Sequence, residues 1–219
     1  MSEYPKIQSI FKRESEKPNR MLFGQWTLPE FEYLASNIWV YTEKVDGTNI
    51  RIEYTPGLPP LIKGKTDNAQ IPPFLYEKLQ DIVSREYQTI VDLFPVVSID
   101  SPQVVLYGEG YGAKIQKGGG NYIKDGVDFV LFDIRIGKIW LRREDVEDIA
   151  DKLNLMVVPI LGRGTLIQMI DIVEKGFNSK WGNFPAEGIV AKPLVEMQTR
   201  TCNRIITKLK HKDFKDIIR

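Results

Sequence analysis

Short runs of β-branched and aromatic residues, several of them adjacent along the chain, constrain the fold more than any other feature of this sequence. Such runs are typical of β-strands, because branched and aromatic side chains pack well on a pleated surface. Because the runs do not alternate strictly with helical segments, they predict an α+β fold with antiparallel sheet instead of a doubly wound parallel sheet. The predicted strands are Ile38–Lys44, Asn49–Tyr54, Val104–Tyr107, Asp128–Ile136, Ile189–Lys192 and Ile205–Leu209.

Three segments between these strands have the spacing of amphipathic helices. Apolar residues recur three or four positions apart over Leu75–Phe94, Val146–Leu153 and Leu166–Val173. Lys117–Asn121 holds three successive glycines without the spacing of a phosphate-binding P-loop, and it is predicted to be a flexible loop. Since no linker clearly divides the chain, residues 1–219 are predicted to form a single domain.

Composition excludes several classes of protein. With 42% hydrophobic and 27% charged residues, the 219-residue chain can bury a substantial core. No apolar stretch approaches the roughly 20 residues of a membrane span, and the charged first residues do not resemble a signal peptide. Cys202 is the only cysteine, which excludes an intramolecular disulfide. We therefore expect an intracellular protein, in the cytoplasm of its own cell or of a phage host, without membrane contact.

The formal net charge is only +1, but the charges are unevenly distributed. Between Lys192 and Lys215, seven lysines and arginines stand against two acidic residues. Such a run suits a polyanion, although a solvated basic face is its commoner meaning. The segment from Lys12 to Arg20 is also basic, and its side chains either contact phosphates or form a solvated terminus.

The strongest local signal is Glu43-Lys44-Val45-Asp46-Gly47, in which a lysine leaves one predicted strand and enters a tight turn before the next. Taken alone, this pattern is typical of a β-hairpin with an Asp-Gly turn and an exposed lysine. A functional interpretation requires the lysine to act as a nucleophile. A lysine does so only as the neutral amine, a form that neighbouring cations favour.

Lys44-Val45-Asp46-Gly47 resembles the first motif, Lys-x-Asp-Gly, of the covalent nucleotidyltransferase superfamily of ATP-dependent ligases and mRNA capping enzymes. Four of the later motifs also have a counterpart on a predicted strand or at its edge. These counterparts follow in the superfamily's order at Leu106–Gly110, Phe129–Ile134, Glu187–Lys192 and Ile206–Lys210. The resemblance covers most of the chain and implies the antiparallel-sheet, ATP-grasp-like adenylation domain of these enzymes.

The resemblance implies a role for each matching residue. Lys44 would carry the nucleotide, assisted by Lys208 and Lys210, whose i and i+2 spacing projects both lysines to the same side of a strand. Glu187 would bind the divalent metal. The residues implied in nucleotide binding are Glu43, Asp46, Gly47, Asn49, Lys65, Glu109 at the ribose, Phe132 stacked on the purine and Lys192 near the phosphates.

Within the superfamily, Thr48-Asn49, Gly64–Asn68 and Lys208–Phe214 look most like nick-sealing RNA ligases of the RNA ligase 2 type. In those enzymes an asparagine matching Asn49 is implicated in sealing. Lys65 departs from the pattern, because relatives often have arginine there and a lysine cannot make a bidentate contact with phosphate. Nine residues follow Lys210, so we expect neither an OB-fold domain nor the C-terminal domain of larger RNA ligases.

The implied reaction uses ATP and Mg²⁺ or Mn²⁺, and it places AMP covalently on Lys44. AMP would then pass to the 5′-phosphate of an RNA strand, and a 3′-hydroxyl would displace it, most fittingly at a nick in duplex RNA. We expect a monomer, with a separate domain or protein able to replace the absent C-terminal domain. The alternatives are a minimal DNA ligase, an RNA guanylyltransferase, and a non-catalytic RNA-binding relative.

Overall fold

The computed structural model describes residues 3–17, 20–98 and 100–215. Contacts divide the chain into two compact units. The central unit comprises Met1–Tyr4 and Asp46–Val158, and the flanking unit comprises Pro5–Val45 and Pro159–Arg219. The expectation of one domain over residues 1–219 stays a prediction.

The described residues form strands and helices of very different lengths. In chain order the strands are β1 (Gln8–Ser9), β2 (Phe11–Arg13), β3 (Met21–Trp26), β4 (Trp39–Glu43), β5 (Thr48–Tyr54), β6 (Leu61–Gly64), β7 (Val104–Gly112), β8 (Val127–Ile136), β9 (Ile139–Trp140), β10 (Met156–Val157), β11 (Ile160–Gly164), β12 (Gly188–Pro193) and β13 (Thr207–Lys210). The helices are α1 (Pro29–Tyr33), α2 (Pro73–Leu93), α3 (Gly119–Tyr122), α4 (Arg143–Lys152) and α5 (Leu166–Lys175), followed by a 3₁₀ helix at His211–Phe214.

The central unit contains a sheet with the strand order β10-β8-β7-β5-β6, and β9 pairs with β8. Strands β5 to β8 pair antiparallel, whereas β10 runs parallel to β8. In β5 the apolar residues Ile50, Ile52 and Tyr54 alternate with polar ones, so one face of the strand joins the hydrophobic core. That core also contains apolar residues of α2 and α4, such as Leu79 and Val146.

The opposite face of β5 carries charged residues that are buried and paired. Arg51 is fully buried, and its Nε lies 3.1 Å from Glu53 Oε1. Arg51 also pairs with Asp67, and Lys63 Nζ lies 3.2 Å from Glu53 Oε2 and 3.3 Å from Asp67 Oδ1. Because Asp67 follows β6, these contacts attach the turn that holds Lys65 to the neighbouring strand β5.

The flanking unit contains a sheet with the strand order β1-β13-β12-β4-β11. β1 runs parallel to β13, and the other neighbours are antiparallel. Helix α5 packs its apolar stripe, which includes Met169, Ile170 and Val173, into the core on one side of this sheet. Burial of each such side chain contributes about 1.5–3 kcal/mol.

A capping box fixes the start of α5. Thr165 Oγ1 accepts a hydrogen bond from the Gln168 backbone N–H, and Gln168 Oε1 accepts one from the Thr165 N–H. Such a cap contributes about 1 kcal/mol to stability. The Tyr41 hydroxyl of β4 donates to the Thr165 carbonyl. Burial raises the pKa of Tyr41 to about 12, so this phenol stays a protonated donor at neutral pH.

The structure confirms the α+β class with antiparallel sheet. All the predicted strands and helices are present, with bounds that differ by a few residues. The prediction of a flexible loop at Lys117–Asn121 is wrong in part, because Gly119–Tyr122 forms the short helix α3. In the described part of the chain, no helix combines the length and hydropathy that a membrane span needs.

Asp67→Asn should lower the melting temperature at neutral pH. The hydrogen bond from Lys63, with the positive charge of Arg51, holds the pKa of the Asp67 carboxyl below its ordinary value. A carboxyl with a lowered folded-state pKa stabilises the fold above the ordinary aspartate range, and this contribution disappears as pH falls through the lowered pKa. The difference between variant and wild type should therefore shrink in acid. Thermal melts across that pH range test this, with the exposed Asp125→Asn as control.

Candidate functional site

Lys44 follows β4 directly and is held by backbone hydrogen bonds. The Glu43 N–H donates to the Pro159 carbonyl at 3.1 Å, and the Lys44 N–H donates to the Gly188 carbonyl at 2.9 Å. The Lys44 side chain is only 19% exposed. Its Nζ lies 2.6 Å from Glu187 Oε2 and 3.4 Å from the Val45 carbonyl oxygen. The lysine of the Asp-Gly turn is thus an ordered, half-buried group, not the exposed residue of a simple hairpin.

Glu187 bridges two lysines. While Oε2 contacts Lys44, Oε1 lies 2.5 Å from Lys210 Nζ. The Glu187 side chain is 13% exposed, so water screens these pairs less than it screens a surface ion pair. The Glu187 carbonyl oxygen also accepts the backbone N–H of His211 at 2.9 Å. One carboxylate therefore holds two ammonium groups in a fixed arrangement.

The register of β12 and β13 brings further lysines to the same face of the sheet. Val190 lies opposite Lys208, and Gly188 lies opposite Lys210. Because residues two apart on a strand share a face, Lys192 projects to this side as well. Ile189 and Leu209, which alternate with these residues, are in the core. One face of the sheet is therefore apolar and packed, and the other is cationic.

Gly188 permits the close approach of β12 and β13. A Cβ at this position would lie 2.1 Å from the Leu209 carbonyl oxygen, well inside contact distance. No side chain can be added without moving one strand. Since Glu187 precedes Gly188 and Lys210 follows Leu209, this approach sets the distance between the carboxylate and the lysine.

Glu43 is a buried carboxylate with an open acceptor. It is 2% exposed, and its Oε2 accepts the Lys180 backbone N–H at 2.8 Å. Within residues 3–17, 20–98 and 100–215, its Oε1 has no hydrogen-bond partner. A buried charged oxygen without a donor is costly, so this atom is suited to accept a hydrogen bond from a ligand.

In the central unit, Asn49 and Glu109 lie directly opposite each other on β5 and β7. Asn49 Oδ1 is buried and has no hydrogen-bond partner among the residues that the structure describes. A Cβ on Gly47 would lie 2.7 Å from Glu109 Cγ and 2.3 Å from the Gly110 carbonyl oxygen. The structure therefore brings Gly47, Asn49 and Glu109 together, and only glycine fits the first of these positions.

Asp46, Phe132 and Lys65 occupy different parts of the central unit. The Asp46 backbone N–H donates to the Tyr122 hydroxyl at 3.2 Å. Phe132 is half-buried on β8, and its ring centroid lies 5.0 Å from that of Tyr4 in an edge-on contact. Lys65 is exposed in the turn after the edge strand β6.

Sequence reasoning missed Tyr4 and Tyr122 as neighbours of predicted site residues. Tyr4 donates from its hydroxyl to Asp133 at 2.5 Å, across a separation of 129 positions in the chain. No local pattern reports such a contact. The contact between Lys44 and Glu187, 143 positions apart, likewise has no local signal, and the motif resemblance implies only a metal-binding role for Glu187.

The donor set suits a hard divalent cation bound together with a ligand. Among the described residues, no three His, Cys, Asp or Glu side chains cluster as a protein-only metal site. Mg²⁺ characteristically binds one or two carboxylates together with substrate phosphates and water, and Mn²⁺ prefers similar ligands. A single partly exposed carboxylate, Glu187, fits that mode of binding.

Comparison with known proteins gives the family. A family model described as RNA ligase matches residues 37–210. No curated protein sequence shows a significant match. Since the family match spans most of the chain, the chain belongs to the RNA ligase family, as the motifs predicted.

Solved structures of an RNA ligase from Naegleria gruberi share the fold. A mutant with ATP and Mn matches with a TM-score of 0.65 and 20% identity, covering 97% of this chain and 60% of that one. The ligase with PPi gives 0.64 and 19% identity, covering 96% and 58%. Another mutant, with AMP and Mn, gives 0.63 and 18% identity, covering 99% and 61%. The chain thus spans about 60% of the length of these structures.

Gly188→Ala should displace β13 from β12 and destabilise the flanking unit by about 1–3 kcal/mol, as overpacking does. The new Cβ would meet the Leu209 carbonyl at 2.1 Å. Gly162→Ala is a matched control, because a Cβ at that position meets nothing within 4 Å. Chemical denaturation of both variants measures the difference. Equal stability of the two variants would show that the strands tolerate the added methyl group.

Proposed function

We propose that this chain is the nucleotidyltransferase part of an ATP-dependent RNA ligase and that Lys44 is its nucleophile. The observation that carries the proposal is the position of Lys44, whose amine contacts Glu187 within a cluster of lysines. Family membership supports the reaction class. The matching structures of the Naegleria gruberi ligase with ATP and Mn, with PPi, and with AMP and Mn support the ligands.

In the first step, the neutral amine of Lys44 attacks the α-phosphate of ATP. An N–P bond forms, the bond between the α-phosphorus and the α,β-bridging oxygen breaks, and pyrophosphate leaves with that oxygen and its electron pair, while the proton of the amine passes to solvent. Lys208 and Lys210 stabilise the charge on the transferring phosphate, and Lys192 holds the phosphates near the same face. The product is a lysyl-AMP phosphoramidate.

Glu187 is proposed to hold the divalent metal together with the nucleotide phosphates. When bound, the metal supplies positive charge at the phosphates. In the structure described above, Glu187 instead neutralises the ammonium groups of Lys44 and Lys210. If Glu187 binds the metal, it no longer neutralises Lys44. The Lys44 amine then lies beside other cations without a counter-charge, which favours its neutral, nucleophilic form.

Glu43 supports adenine over guanine as the base. Its buried Oε1 can only accept a hydrogen bond when the carboxylate is ionised. Adenine presents an amino donor at N6, whereas guanine presents the acceptor O6 at the corresponding position. If the 6-position of the base faces Glu43, the carboxylate accepts from the N6 amino group of adenine and opposes the O6 acceptor of guanine, an arrangement that supports ATP as the cofactor.

The remaining residues are proposed to position the nucleotide and the strands. Glu109 binds the ribose, Phe132 stacks on adenine, and Asn49, with its open Oδ1, helps to position the nick. Asp46 and Gly47 shape the turn after the nucleophile. Lys65 contacts a phosphate as a point charge.

After adenylation, AMP passes from Lys44 to the 5′-phosphate of an RNA strand. The 3′-hydroxyl of the adjoining strand then displaces AMP and forms the phosphodiester, at a nick in duplex RNA. We propose that the chain acts as a monomer. A separate domain or protein would supply what the rest of a longer ligase contributes.

Lys44→Ala should abolish the covalent adduct. After incubation with ATP and Mg²⁺ or Mn²⁺, intact-mass spectrometry should show the added mass of one AMP on the wild type and none on the variant. Lys44→Arg should fail too, because a guanidinium stays protonated. The exposed Lys175→Ala, at the end of α5, is the control that should be labelled normally.

The same assay tests the cofactor. GTP in place of ATP should give no adduct, or far less, if Glu43 reads the amino group of adenine. An adduct on the Lys44→Ala variant would contradict the assignment of the nucleophile. Equal labelling by GTP would contradict the role of Glu43 while leaving Lys44 in place.

Glu187→Ala should reduce metal-dependent adenylation by roughly 10²-fold, because it removes the metal carboxylate at the phosphates. Circular dichroism should show a folded protein. Glu77→Ala, an exposed glutamate on α2, is the control and should be adenylated at the wild-type rate. Normal metal-dependent adenylation of Glu187→Ala would exclude the assigned role of Glu187.

A further inference from the structure

A large basic cavity lies in the flanking unit beside the lysine cluster. Its volume is about 870 Å³, and it is formed by β1, β2, β13 and the 3₁₀ helix. The lining includes seven cationic side chains and one acidic residue, Asp213. The cations are Lys6, Lys12, Arg13, Lys208, Lys210, Lys212 and Lys215.

Of the seven cations in the described lining of this cavity, four have no carboxylate partner. Asp213 is already engaged, because its Oδ1 lies 2.9 Å from Arg13 Nη2. Among the described residues, Lys6, Lys12, Lys212 and Lys215 pair with no carboxylate, and all four are exposed. Like charges in a concave site focus the electrostatic potential and attract anions.

The strands β1 and β13, which line the cavity, belong to the same sheet as β4, the strand that Lys44 follows. β1 runs parallel to β13, with Ser9 opposite Lys208. Lys208 and Lys210 line the cavity, and Lys210 shares the Glu187 carboxylate with Lys44. An anion that entered the cavity along β13 would therefore be led towards the amine of Lys44.

We propose that this cavity binds the phosphate backbone of the RNA strand that leads to the reacting end, an inference that rests on the proposed function. The volume of the cavity lies near the upper end of the range of about 300–1,000 Å³ for small-ligand sites. The cavity therefore offers more space than a single pyrophosphate needs. The seven cations also extend well beyond the lysine pair of β13.

The lining favours the backbone over the bases. Many proteins that bind single strands without sequence preference offer exposed aromatic rings on which the bases stack. The aromatic residue of the described lining is Phe11, which is 2% exposed. Lysine and arginine contacts to phosphates bind without regard to sequence and position the strand. The cavity thus fits a ligase that must accept many sequences at its joined ends.

The test uses the full chain, with a short nicked RNA duplex that has a 5′-phosphate at the nick as the probe. The double variant Lys12→Glu/Lys212→Glu reverses two cations of the cavity that have no assigned role in catalysis. The control Lys138→Glu/Lys175→Glu changes the net charge equally at exposed lysines outside the cavity. Fluorescence anisotropy at about 50 to 200 mM salt gives Kd and its salt dependence for each protein.

The cavity variant should bind the RNA about tenfold more weakly than the control, and the slope of log K against log salt should fall in magnitude by about 1 for each lost phosphate contact. Its lysyl-AMP formation, measured by intact mass in the absence of RNA, should equal that of the control. That combination would support the proposal.

Other results would overturn it. RNA binding equal to that of the control would show that the cavity does not hold the strand, as would an absence of RNA binding by the wild type. Slower lysyl-AMP formation with unchanged RNA affinity would assign the cavity to the triphosphate of ATP. A wild type that forms no lysyl-AMP would refute the proposed function separately, since the RNA affinities are compared without that step.

Discussion

The carboxylate of Glu187, placed between the ammonium groups of Lys44 and Lys210, is the interaction on which the rest of the candidate site depends. A sheet face that gathers several lysines is electrostatically unfavourable without a counter-charge, and this partly buried carboxylate supplies one. Glu187 precedes β12, Lys44 follows β4 and Lys210 ends β13. The carboxylate therefore reaches both lysines only because β12 lies between β4 and β13 in the sheet. We also propose this carboxylate for metal binding, and a metal bound there would replace its contacts with the two lysines.

The two faces of the flanking sheet differ: one packs into the hydrophobic core, and the other carries the lysines of the candidate site. Ile189 and Leu209 anchor the strands in the core, while the alternate residues of the same strands carry the lysines. Gly188 allows these strands to approach closely, because any side chain at that position would clash with the Leu209 carbonyl. Glu43 and Asn49 depart from the usual rule that buried polar atoms are paired. Such exceptions are often found at functional sites.

Much of the fold and the order of the motifs could be predicted from the sequence. The long strands and the three amphipathic helices carry strong periodic signals within a few neighbouring residues, and the structure confirms them. Two-residue strands such as β1 carry almost no local signal, because their pairing with β13 is decided by residues about 200 positions away. The sequence therefore does not predict the basic cavity, although it contains separate basic runs at Lys12 and Arg13 and at the C-terminal lysines. The glycine run at Lys117–Asn121 favoured a loop on local grounds, yet residues Gly119–Tyr122 form a helix.

By itself, the sequence determined the fold class, the RNA ligase resemblance and the identity of the candidate nucleophile, since strand periodicity and the Lys-x-Asp-Gly motif are local properties of the chain. Only the tertiary structure decided that Lys44 and Lys210 share one carboxylate, that Glu43 keeps an open buried oxygen, and that Lys6 and Lys12 join the C-terminal lysines around one cavity. The physical reason is that electrostatic and hydrogen-bonding partners are chosen by distance in space. Strand register sets that distance between residues that lie far apart in the chain.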